Sequence, residues 1–517
     1  MSSPIRLLCL ELGSTEAGRG VVEELRRIVP GIWIAGVEKR DDYADSVFDF
    51  VVTTQYDAFL GRYESVNTPS LPVTPQLHQL MAPHEGKILN VLGLAAARST
   101  YDYPDPIHGV PRFKDSYSSR KDLFDRHCRF WNHVLEKYMI NAVVHENLGQ
   151  EGYDYTALQV ARVKKIPTLT FNITGQFPRV LFVQEDEHGL GDLIFGQKLK
   201  ESVGSSLHHE DPNFIRRSTA VTKESPNAGL KGDYSKYETS VISSWLFDRS
   251  IYKTQLSFSA TASALAKKVR RFARNPRHGI RTIKRSRDLM QSTSASQKEE
   301  SLHSAIPNLE QNYIYFPLHF QPETSSSIKA TGFYRLREAA AFLASELPSG
   351  WKLIVKEHPH QFRRLLLREE GFYAQIAAIP RVELVHHTTS NIDLVRHARA
   401  VACVSHSSIT AHAVFSNIPV ISLGDSHFRE APGYFCIKSS AELRVAMNLI
   451  AQDSIKRVDG DMDEFLTRLE RATFEGEFGE KFPELSDEEW NRTLLVTRMN
   501  ISLAIKAWLH LRVGVSD

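Results

Sequence analysis

Apolar runs of strand length alternate with helical patterns in two separate parts of this 517-residue chain, and this alternation constrains the fold more than any other feature. The first part contains six runs with strand character, at 6–12, 32–37, 48–53, 88–92, 141–145 and 168–172. Helical patterns lie between several of these runs, at 21–28, 120–138 and 153–164. A chain that alternates strand and helix in this way predicts a parallel, doubly wound sheet.

The second part of the chain repeats the same alternation. Its predicted strands are 313–318, 352–356, 382–386, 400–404 and 419–423, and its predicted helices are 333–347, 393–398 and 408–416. We therefore predict an α/β fold with two Rossmann-like, doubly wound domains. A chain of this length is expected to form two or three domains. The predicted units are an N-terminal lobe (1–195), a basic insert or linker (196–310), a second lobe (311–455) and C-terminal helices (456–517).

A basic segment lies between the two predicted lobes. Residues 267–287 contain ten lysines and arginines and no acid, beginning with Lys267, Lys268, Arg270 and Arg271. The sequence leaves three interpretations open: a solvated helix face, a surface for anionic lipid head groups or a lipid-diphosphate acceptor, and a nucleic-acid site. We expect no nucleic acid, because no recognised nucleic-acid-binding fold accompanies the charges. The polar residues that follow, 286–304, predict a flexible linker.

Overall charge and cysteine content exclude several classes of protein. The 63 lysines and arginines nearly balance the 61 acids, so net charge does not indicate a partner. The four cysteines are scattered and form no CxxC pair, which favours a reducing compartment over a disulfide scaffold or a structural zinc site. No run approaches the ~18 apolar residues of a membrane span. We expect a cytoplasmic protein whose only membrane role is peripheral.

Four polar clusters follow predicted strands of the second part. Open α/β sheets bind ligands at the carboxyl ends of their strands, so these clusters are candidate ligand-binding groups. In chain order they are His319, Gln321 and Glu323; Lys356 and His358; Ser405, Ser407 and Ser408; and Asp425, His427 and Glu430.

Two of these clusters have the chemistry of a phosphate site. Lys356 supplies a positive charge, and His358 supplies an N–H donor. The three serines stand where an apolar-periodic helix begins, and free backbone N–H groups at a helix N-terminus attract anions. One serine is expected as an ordinary helix cap, and three exceed what capping requires.

Three carboxylates form the candidate catalytic group of the first part. Glu146 follows an apolar strand, and Glu151 and Asp154 lie where the next helix begins. Group transfer to a hydroxyl needs a base, and a carboxylate in a cleft can serve. The alternative is that Glu151 and Asp154 simply stabilise a helix N-terminus through its dipole. The sequence does not select one of the three.

Several motifs resemble those of a known family. The stretches YFPLHFQPE (315–323), LPSGWKLIVKEHP (347–359), SHSS (405–408) and IPVISLG (418–424) resemble the donor lobe of capsular polysaccharide biosynthesis proteins, the group that includes capsule Kdo transferases of the GT-B fold. The likeness covers about 120 residues of the second lobe, and residues 143–171 resemble the first lobe more loosely.

This resemblance implies a glycosyltransferase with a nucleotide-sugar donor, favouring a CMP-sugar, in the second lobe. It implies that His358, Ser407 and Ser408 contact the donor phosphate, and that no divalent metal or permanently bound cofactor is needed. The expected acceptor is an oligosaccharide or lipid-linked glycan. An anionic membrane surface is a partner expected from the basic segment 267–287. Three rivals stay open: a CDP-glycerol-type glycerophosphotransferase, a nucleotide-sugar epimerase of the same fold, and a non-catalytic polysaccharide-assembly subunit.

Overall fold

The structure is a computed structural model of the full chain. It describes residues 4–38, 46–63, 74–102, 116–147, 149, 151–173, 180–185, 193–208, 291–321, 326, 328–330, 332–363, 368–455, 460–479 and 486–514. The basic residues Lys267, Lys268, Arg270 and Arg271 and the candidate ligand Glu323 lie outside these ranges.

The first lobe is built on a seven-stranded sheet. Five strands run parallel in the order β3-β2-β1-β4-β5, which is the Rossmann order, and β6 and β13 extend the β5 edge in antiparallel fashion. The strands are β1 (Arg6–Leu10), β2 (Trp33–Glu38), β3 (Phe50–Thr54), β4 (Ala142–His145), β5 (Thr168–Ile173), β6 (Val180–Gln184) and β13 (Phe474–Glu475).

Helices cover both faces of this sheet. They are α1 (Glu16–Ile28), α2 (Gln55–Leu60), α3 (Pro75–Asp102), α4 (Tyr117–Lys137), α5 (Tyr153–Val163) and α6 (Leu193–Val203). Helix α3 corrects one prediction: residues 88–92 are helical, not a strand. Ile88, Leu89, Val91 and Leu92 are buried against the helices and strands of the core. An apolar run of five residues is compatible with a buried helix as well as with a strand.

The second lobe contains a six-stranded, fully parallel sheet in the order β9-β8-β7-β10-β11-β12. This is again the Rossmann order, with the direction of winding reversing between β7 and β10. The strands are β7 (Tyr313–Pro317), β8 (Lys352–Lys356), β9 (Val382–Val385), β10 (Ala400–Cys403), β11 (Val420–Ser422) and β12 (Tyr434–Cys436). The prediction of an α/β fold with two Rossmann-like domains is therefore confirmed.

A helix precedes the second sheet where the sequence predicted a flexible linker. Residues 291–303 form helix α7, which corrects that prediction. Two adjacent acids anchor α7 to the second lobe. Glu299 accepts the backbone N–H groups of Tyr373 and Ala374, and Glu300 accepts that of His387. Tertiary contacts thus order a polar segment whose composition alone favours a linker.

The remaining helices connect and surround the second sheet or return to the first lobe. They are α8 (Leu336–Ser345), α9 (Pro359–Arg363), α10 (Phe372–Ala377), α11 (Asn391–His397), α12 (Ser408–Phe415), α13 (Ser440–Ala451), α14 (Asp461–Ala472) and α15 (Asp487–Val513).

The C-terminal part of the chain packs on the first lobe. The side chain of Arg498 on α15 donates to Glu24 on α1, and the Trp508 indole donates to Glu185 after β6. Ile501, Ile505 and Trp508 are buried in the same core as β1. The chain therefore crosses from the second lobe back to the first. Among the described helices, none combines the length and apolar content needed to cross a membrane.

Candidate active site

The two sheets reverse their winding at two equivalent places, and polar residues lie at both. In the first lobe, Glu11 follows β1 and Glu146 follows β4, and these two strands are neighbours at the reversal. In the second lobe, His319 follows β7 and Ser405 follows β10, which are again neighbours. The crevice outside such a reversal is where open α/β sheets bind ligands. The predicted clusters thus lie where this fold binds ligands.

A buried basic cluster lies where the second lobe meets the first. It consists of Lys329, His319, His406 and His427, each less than a tenth exposed. The rings of His406 and His427 lie 4.2 Å apart, and the His427 ring lies 4.7 Å from Phe182 of β6. Burial lowers the pKa of all three imidazoles, to about 4 for His319. At pH 7 the three rings are therefore neutral.

Lys329 joins the two lobes and was not singled out from the sequence. Its Nζ atom donates to Asn172 Oδ1 at 2.8 Å and lies 3.4 Å from His406 Nε2. Asn172 stands in β5 of the first lobe, beside Gln184 of β6. The signal for Lys329 was weak, a lone cation in the loop after β7. Its significance depends on how the lobes pack.

His358 has a defined tautomer. Its Nδ1 atom accepts the backbone N–H of His360 at 3.1 Å, so a neutral ring carries its proton on Nε2. Burial, followed by the nearby charges of His360 and Lys356, holds the pKa of His358 well below its ordinary value. The ring is stacked on His360 and contacts Phe320. His358 is therefore a fixed, neutral N–H donor.

The Lys356 ammonium binds a backbone carbonyl of the neighbouring loop. Its Nζ atom donates to the His387 carbonyl oxygen at 3.1 Å, and the side chain is almost fully buried. Burial lowers the pKa of Lys356 to about 8, against the opposing pull of Glu300 and Glu357. The lysine therefore ties β8 to the loop after β9. Its predicted phosphate role stays a prediction.

A buried ion pair supports the loops that follow β7 and β8. The Arg368 guanidinium donates to both oxygens of Glu357 at 2.8 Å, and Tyr373 donates to the same carboxylate at 2.9 Å. Arg368 also donates to the His319 carbonyl oxygen and, at 2.5 Å, to Gln321 Oε1. The Gln321 amide in turn donates to the Tyr334 carbonyl oxygen. Gln321 is thus engaged in holding these loops together.

The three serines after β10 have different positions and hydrogen-bond partners. Ser407 is the N-cap of α12: its oxygen accepts the N–H of Thr410, whose hydroxyl accepts the N–H of Ser407. Ser405 is buried, and its hydroxyl donates to the His406 carbonyl oxygen at 3.5 Å. Ser408 is the first residue of α12. The capping interpretation thus holds for Ser407, and the phosphate role of the group stays a prediction.

Two acids of the loop after β11 form ion pairs. Asp425 accepts from Arg429 at 3.0 Å, and Glu430 pairs with Arg468 of α14. His427 alone of the three predicted residues joins the buried basic cluster. The loop approaches the cluster closely, because the Asp425 N–H donates to the Lys329 carbonyl oxygen at 2.9 Å.

Asp154 and His145 form a buried pair in the first lobe. His145 Nδ1 accepts the N–H of Asn147 at 2.8 Å, so Nε2 carries the proton of the neutral ring and donates to Asp154 at 3.3 Å. The other Asp154 oxygen accepts the N–H groups of Glu151 and Tyr155. Glu11, His145 and Asp154 are also close enough to one another to ligate a metal. Asp154 is therefore placed to orient its neighbours.

Three carboxylates surround this pair, and one of them was missed from the sequence. Glu146 accepts from Thr15 at 3.1 Å, and Glu151 is buried beside Asp154. The missed residue is Glu11, whose Oε2 lies 4.0 Å from His145 Nε2 and whose Oε1 accepts from Tyr153 at 3.4 Å. Its backbone φ of 65° is unusual for a residue other than glycine. Strained residues of this kind cluster at functional sites.

Electrostatics distinguish Glu11 from a surface acid. Burial raises the pKa of Glu11 to about 8; His145 opposes the shift, and Asp154, Glu151 and Glu146 add to it. A carboxylic acid that titrates near neutral pH is suited to proton transfer. Glu11 lies at the same sheet edge as Asn172, two strands away in the order β1-β4-β5. The first lobe thus offers a proton-transfer group at the edge that the basic cluster meets.

No curated protein sequence matches this chain significantly. The solved structures with similar folds include a UDP-GlcNAc 2-epimerase from Neisseria meningitidis bound to UDP-GlcNAc, with 11% identity, a TM-score of 0.22 and coverage of 98% of this chain and 100% of that one. They also include the KpsC β-Kdo 2,7 transferase of Thermosulfurimonas dismutans, with 10% identity, a TM-score of 0.26 and coverage of 61% and 79%. The E. coli ADP-heptose lipopolysaccharide heptosyltransferase II has 11% identity, a TM-score of 0.22 and coverage of 87% and 100%.

These TM-scores carry no argument about activity or substrate. The sequence match is more direct: the profile of the capsule polysaccharide biosynthesis protein family matches residues 234–433. That range contains His319, Lys329, His358 and His427 and all four second-lobe motifs that carried the resemblance, while the looser stretch 143–171 lies outside it. The resemblance is therefore confirmed over residues 234–433, which are similar to the capsule polysaccharide biosynthesis protein family.

Proposed function

We propose that this protein is a glycosyltransferase that takes a sugar from a nucleotide donor held by the second lobe and passes it to a glycan acceptor held by the first. One observation carries the proposal: the Lys329 ammonium and a group of neutral histidines meet the carboxylate-bearing edge of the first lobe through the 2.8 Å contact of Lys329 with Asn172. Positive charge for a leaving phosphate and a proton acceptor for a hydroxyl are the two requirements of this transfer.

The donor phosphate is bound, on this proposal, by the basic cluster and its neighbours. Lys329 supplies the positive charge, and His358 Nε2–H supplies a fixed neutral donor. The N-terminus of α12, with Ser405 and Ser408 beside it, adds backbone N–H groups. Charge on the phosphate grows as the sugar leaves, so preorganised donors stabilise the transition state more than the ground state. These groups take the place of a divalent metal at the phosphate.

The acceptor hydroxyl is deprotonated, on this proposal, by a carboxylate of the first lobe. Glu11 is the favoured base, since it titrates nearest to neutral pH and its side chain is partly exposed. Asp154 and His145 orient the group. Burial raises the Glu11 pKa, and the charges of Asp154, Glu151 and Glu146 add to the rise. Of the three predicted carboxylates, Asp154 thus acts through others rather than on substrate.

The family resemblance extends the proposal to the substrates. A CMP-activated acid sugar such as Kdo is the favoured donor, and a growing surface polysaccharide or its lipid-linked form is the favoured acceptor. The basic residues 267–287 would hold the enzyme at the anionic inner face of the cytoplasmic membrane, since each basic residue near such a surface contributes about 1 kcal/mol. This part of the proposal rests on sequence alone.

Two rivals share the fold and differ in their products. A CDP-glycerol-type transferase would release CMP with transfer of glycerol phosphate, and an epimerase would convert a UDP-sugar without an acceptor. A non-catalytic assembly subunit would tolerate loss of the buried acids. The proton-transfer group around Glu11 favours an enzyme over an assembly subunit, because nothing in assembly requires a buried acid of raised pKa.

The test is turnover of a panel of CMP-, CDP-, UDP-, GDP- and ADP-activated donors with a lipid-linked or oligosaccharide acceptor. We expect acceptor-dependent release of one nucleotide, and loss of that release in the Glu11→Gln variant. Isomerisation of a UDP-sugar without an acceptor would contradict this proposal and support the epimerase alternative. Full turnover by Glu11→Gln would remove Glu11 as the base.

A further inference from the structure

A second cluster of ligating side chains lies at the end of β9, at the sheet edge away from β12. It consists of Glu300 on α7 and the consecutive residues His386 and His387. The Glu300 carboxylate is fully buried, and the two imidazoles are partly exposed to solvent. The mechanism proposed above makes no use of these three side chains.

The Glu300 carboxylate divides its two oxygens between backbone and side chains. Oε1 accepts the backbone N–H of His387 at 2.6 Å. Oε2 faces both rings, at 2.7 Å from His387 Nδ1 and 3.7 Å from His386 Nε2. The three ligand atoms lie within 4.8 Å of one another. Zinc ligands at about 2.1 Å in tetrahedral geometry lie about 3.4 Å apart, so these atoms need small shifts to share one ion. The ion also displaces the proton that His387 Nδ1 donates to Glu300.

The surroundings of the rings favour metal ligation. His386 Nδ1 lies 2.7 Å from Thr388 Oγ1 and 3.4 Å from the Thr388 backbone N. When Nδ1 donates its proton to the nearer hydroxyl oxygen, Nε2 keeps its lone pair for the ion. An imidazole that binds a metal usually donates its other N–H to such a partner. The His387 ring is fixed edge-on against Phe362, with ring centroids 4.9 Å apart. The positive charge of Lys356 repels a bound cation. Its Nζ atom lies close by, where it donates to the His387 carbonyl oxygen.

We infer that Glu300, His386 and His387 form a site for a divalent transition metal of the Zn²⁺ class, with solvent completing the coordination. Two imidazoles and one carboxylate are the donor set that such an ion favours. The ion joins α7 to the loop after β9, beside the point where Ala305 pairs with Val385. It therefore clamps the segment that enters the second lobe.

The experiment uses the full chain without a polyhistidine tag. Zn²⁺ is titrated by calorimetry, and Co²⁺ is added as a spectroscopic probe of tetrahedral nitrogen and oxygen ligation. We expect one site in the wild type, at least tenfold weaker Zn²⁺ binding in His386→Ala, and loss of the visible Co²⁺ band. The matched control is His397→Ala in the same lobe. The His397 ring is exposed and forms a hydrogen bond with the Asp393 carbonyl oxygen of its own helix. This variant should bind Zn²⁺ as the wild type does.

Stability gives a second readout. Zn²⁺ should raise the Tm of the wild type and of His397→Ala but leave that of His386→Ala unchanged, because only a site in the folded state stabilises it. His386→Ala retains the Glu300–His387 hydrogen bonds, so its fold should persist. Equal Zn²⁺ affinity in the wild type and His386→Ala, or no Zn²⁺ binding to the wild type, would overturn the inference and leave an ordinary ion-pair clamp. Nucleotide binding is measured separately and does not enter this result.

Discussion

Lys329 Nζ lies 2.8 Å from Asn172 Oδ1, and this hydrogen bond joins the loop after β7 of the second lobe to β5 of the first. The same ammonium lies 3.4 Å from His406 Nε2, at the end of β10. A single buried cation therefore contacts the carboxyl ends of strands from both sheets. On the proposed function, a ligand that binds this cation lies between the donor-binding lobe and the acceptor-binding lobe.

The ionisation of Glu11 gives the first prediction. If Glu11 is the base, it acts only when deprotonated, so kcat should rise with pH through about 8, the raised pKa of this acid. Glu11→Gln should lower kcat by about 10²–10⁴-fold and remove that rise. The measurement is a pH–rate profile of both proteins. The control is Glu16→Gln on the exposed start of α1, which should leave the profile unchanged.

The same acid makes stability depend on pH. Between its ordinary value of 4.5 and about 8, the folded protein keeps the Glu11 proton while the unfolded chain loses it. The contribution of Glu11 therefore lowers the free energy of unfolding as pH rises through this window. Glu11→Gln should flatten the fall in urea-unfolding measurements between pH 5 and 8. An unchanged slope would show that the Glu11 pKa is not raised.

Close backbone packing at Gly424 gives the second prediction. A Cβ atom at this position would lie 2.2 Å from the Val404 carbonyl oxygen and 2.3 Å from that of Lys329. Both obstacles are backbone atoms, so Gly424→Ala must separate the loops that follow β7, β10 and β11. We expect destabilisation of about 1–3 kcal/mol, with weaker nucleotide binding, by thermal unfolding and calorimetry. At Gly332 a Cβ meets nothing within 4 Å, and Gly332→Ala should have little effect.

The buried Arg368–Glu357 pair gives the third prediction. Arg368→Met would leave the fully buried Glu357 carboxylate with the Tyr373 hydroxyl and the His358 backbone N–H as donors but without its counter-charge. Breaking such a pair from one side costs about 3–5 kcal/mol. The control is Arg335→Met, which removes an exposed pair with Glu338 and should change the free energy of unfolding by less than about 0.5 kcal/mol. Equal effects of the two variants would contradict the role given to Arg368.

Local patterns were sufficient to predict most of the sheets. Strand β8 was predicted at its observed bounds, and β7 and β10 end within one residue of the prediction, because continuous apolar runs are typical of strands buried on both faces. The clusters that follow these strands were therefore assigned to the correct sheet edge. Strand β13 was missed because it has only two residues, and its partner β6 is nearly 300 positions away.

Contacts between distant segments account for what the sequence did not predict. Lys329 and Asn172 are 157 positions apart, and neither stands in a motif. Glu11 follows β1 as an ordinary polar residue, and its raised pKa comes from burial and from acids more than 130 positions away. Helix α7 has a linker-like composition and is held by the contacts of Glu299 and Glu300. Each of these features depends on tertiary packing, which periodicity does not report.

Nucleotide binding by the wild type and Lys329→Met tests the central claim most directly. The measurement is calorimetry with CMP, CDP, UDP, GDP and ADP, with Lys352→Met at the start of β8 as the matched control. The account predicts that one nucleotide binds the wild type and the control equally. It binds Lys329→Met about ten- to a hundredfold more weakly, since a hydrogen bond to a charged group contributes about 1.5–3 kcal/mol. If folded wild-type protein binds no nucleotide, or Lys329→Met binds it as tightly, the site between the lobes is not a nucleotide-sugar site.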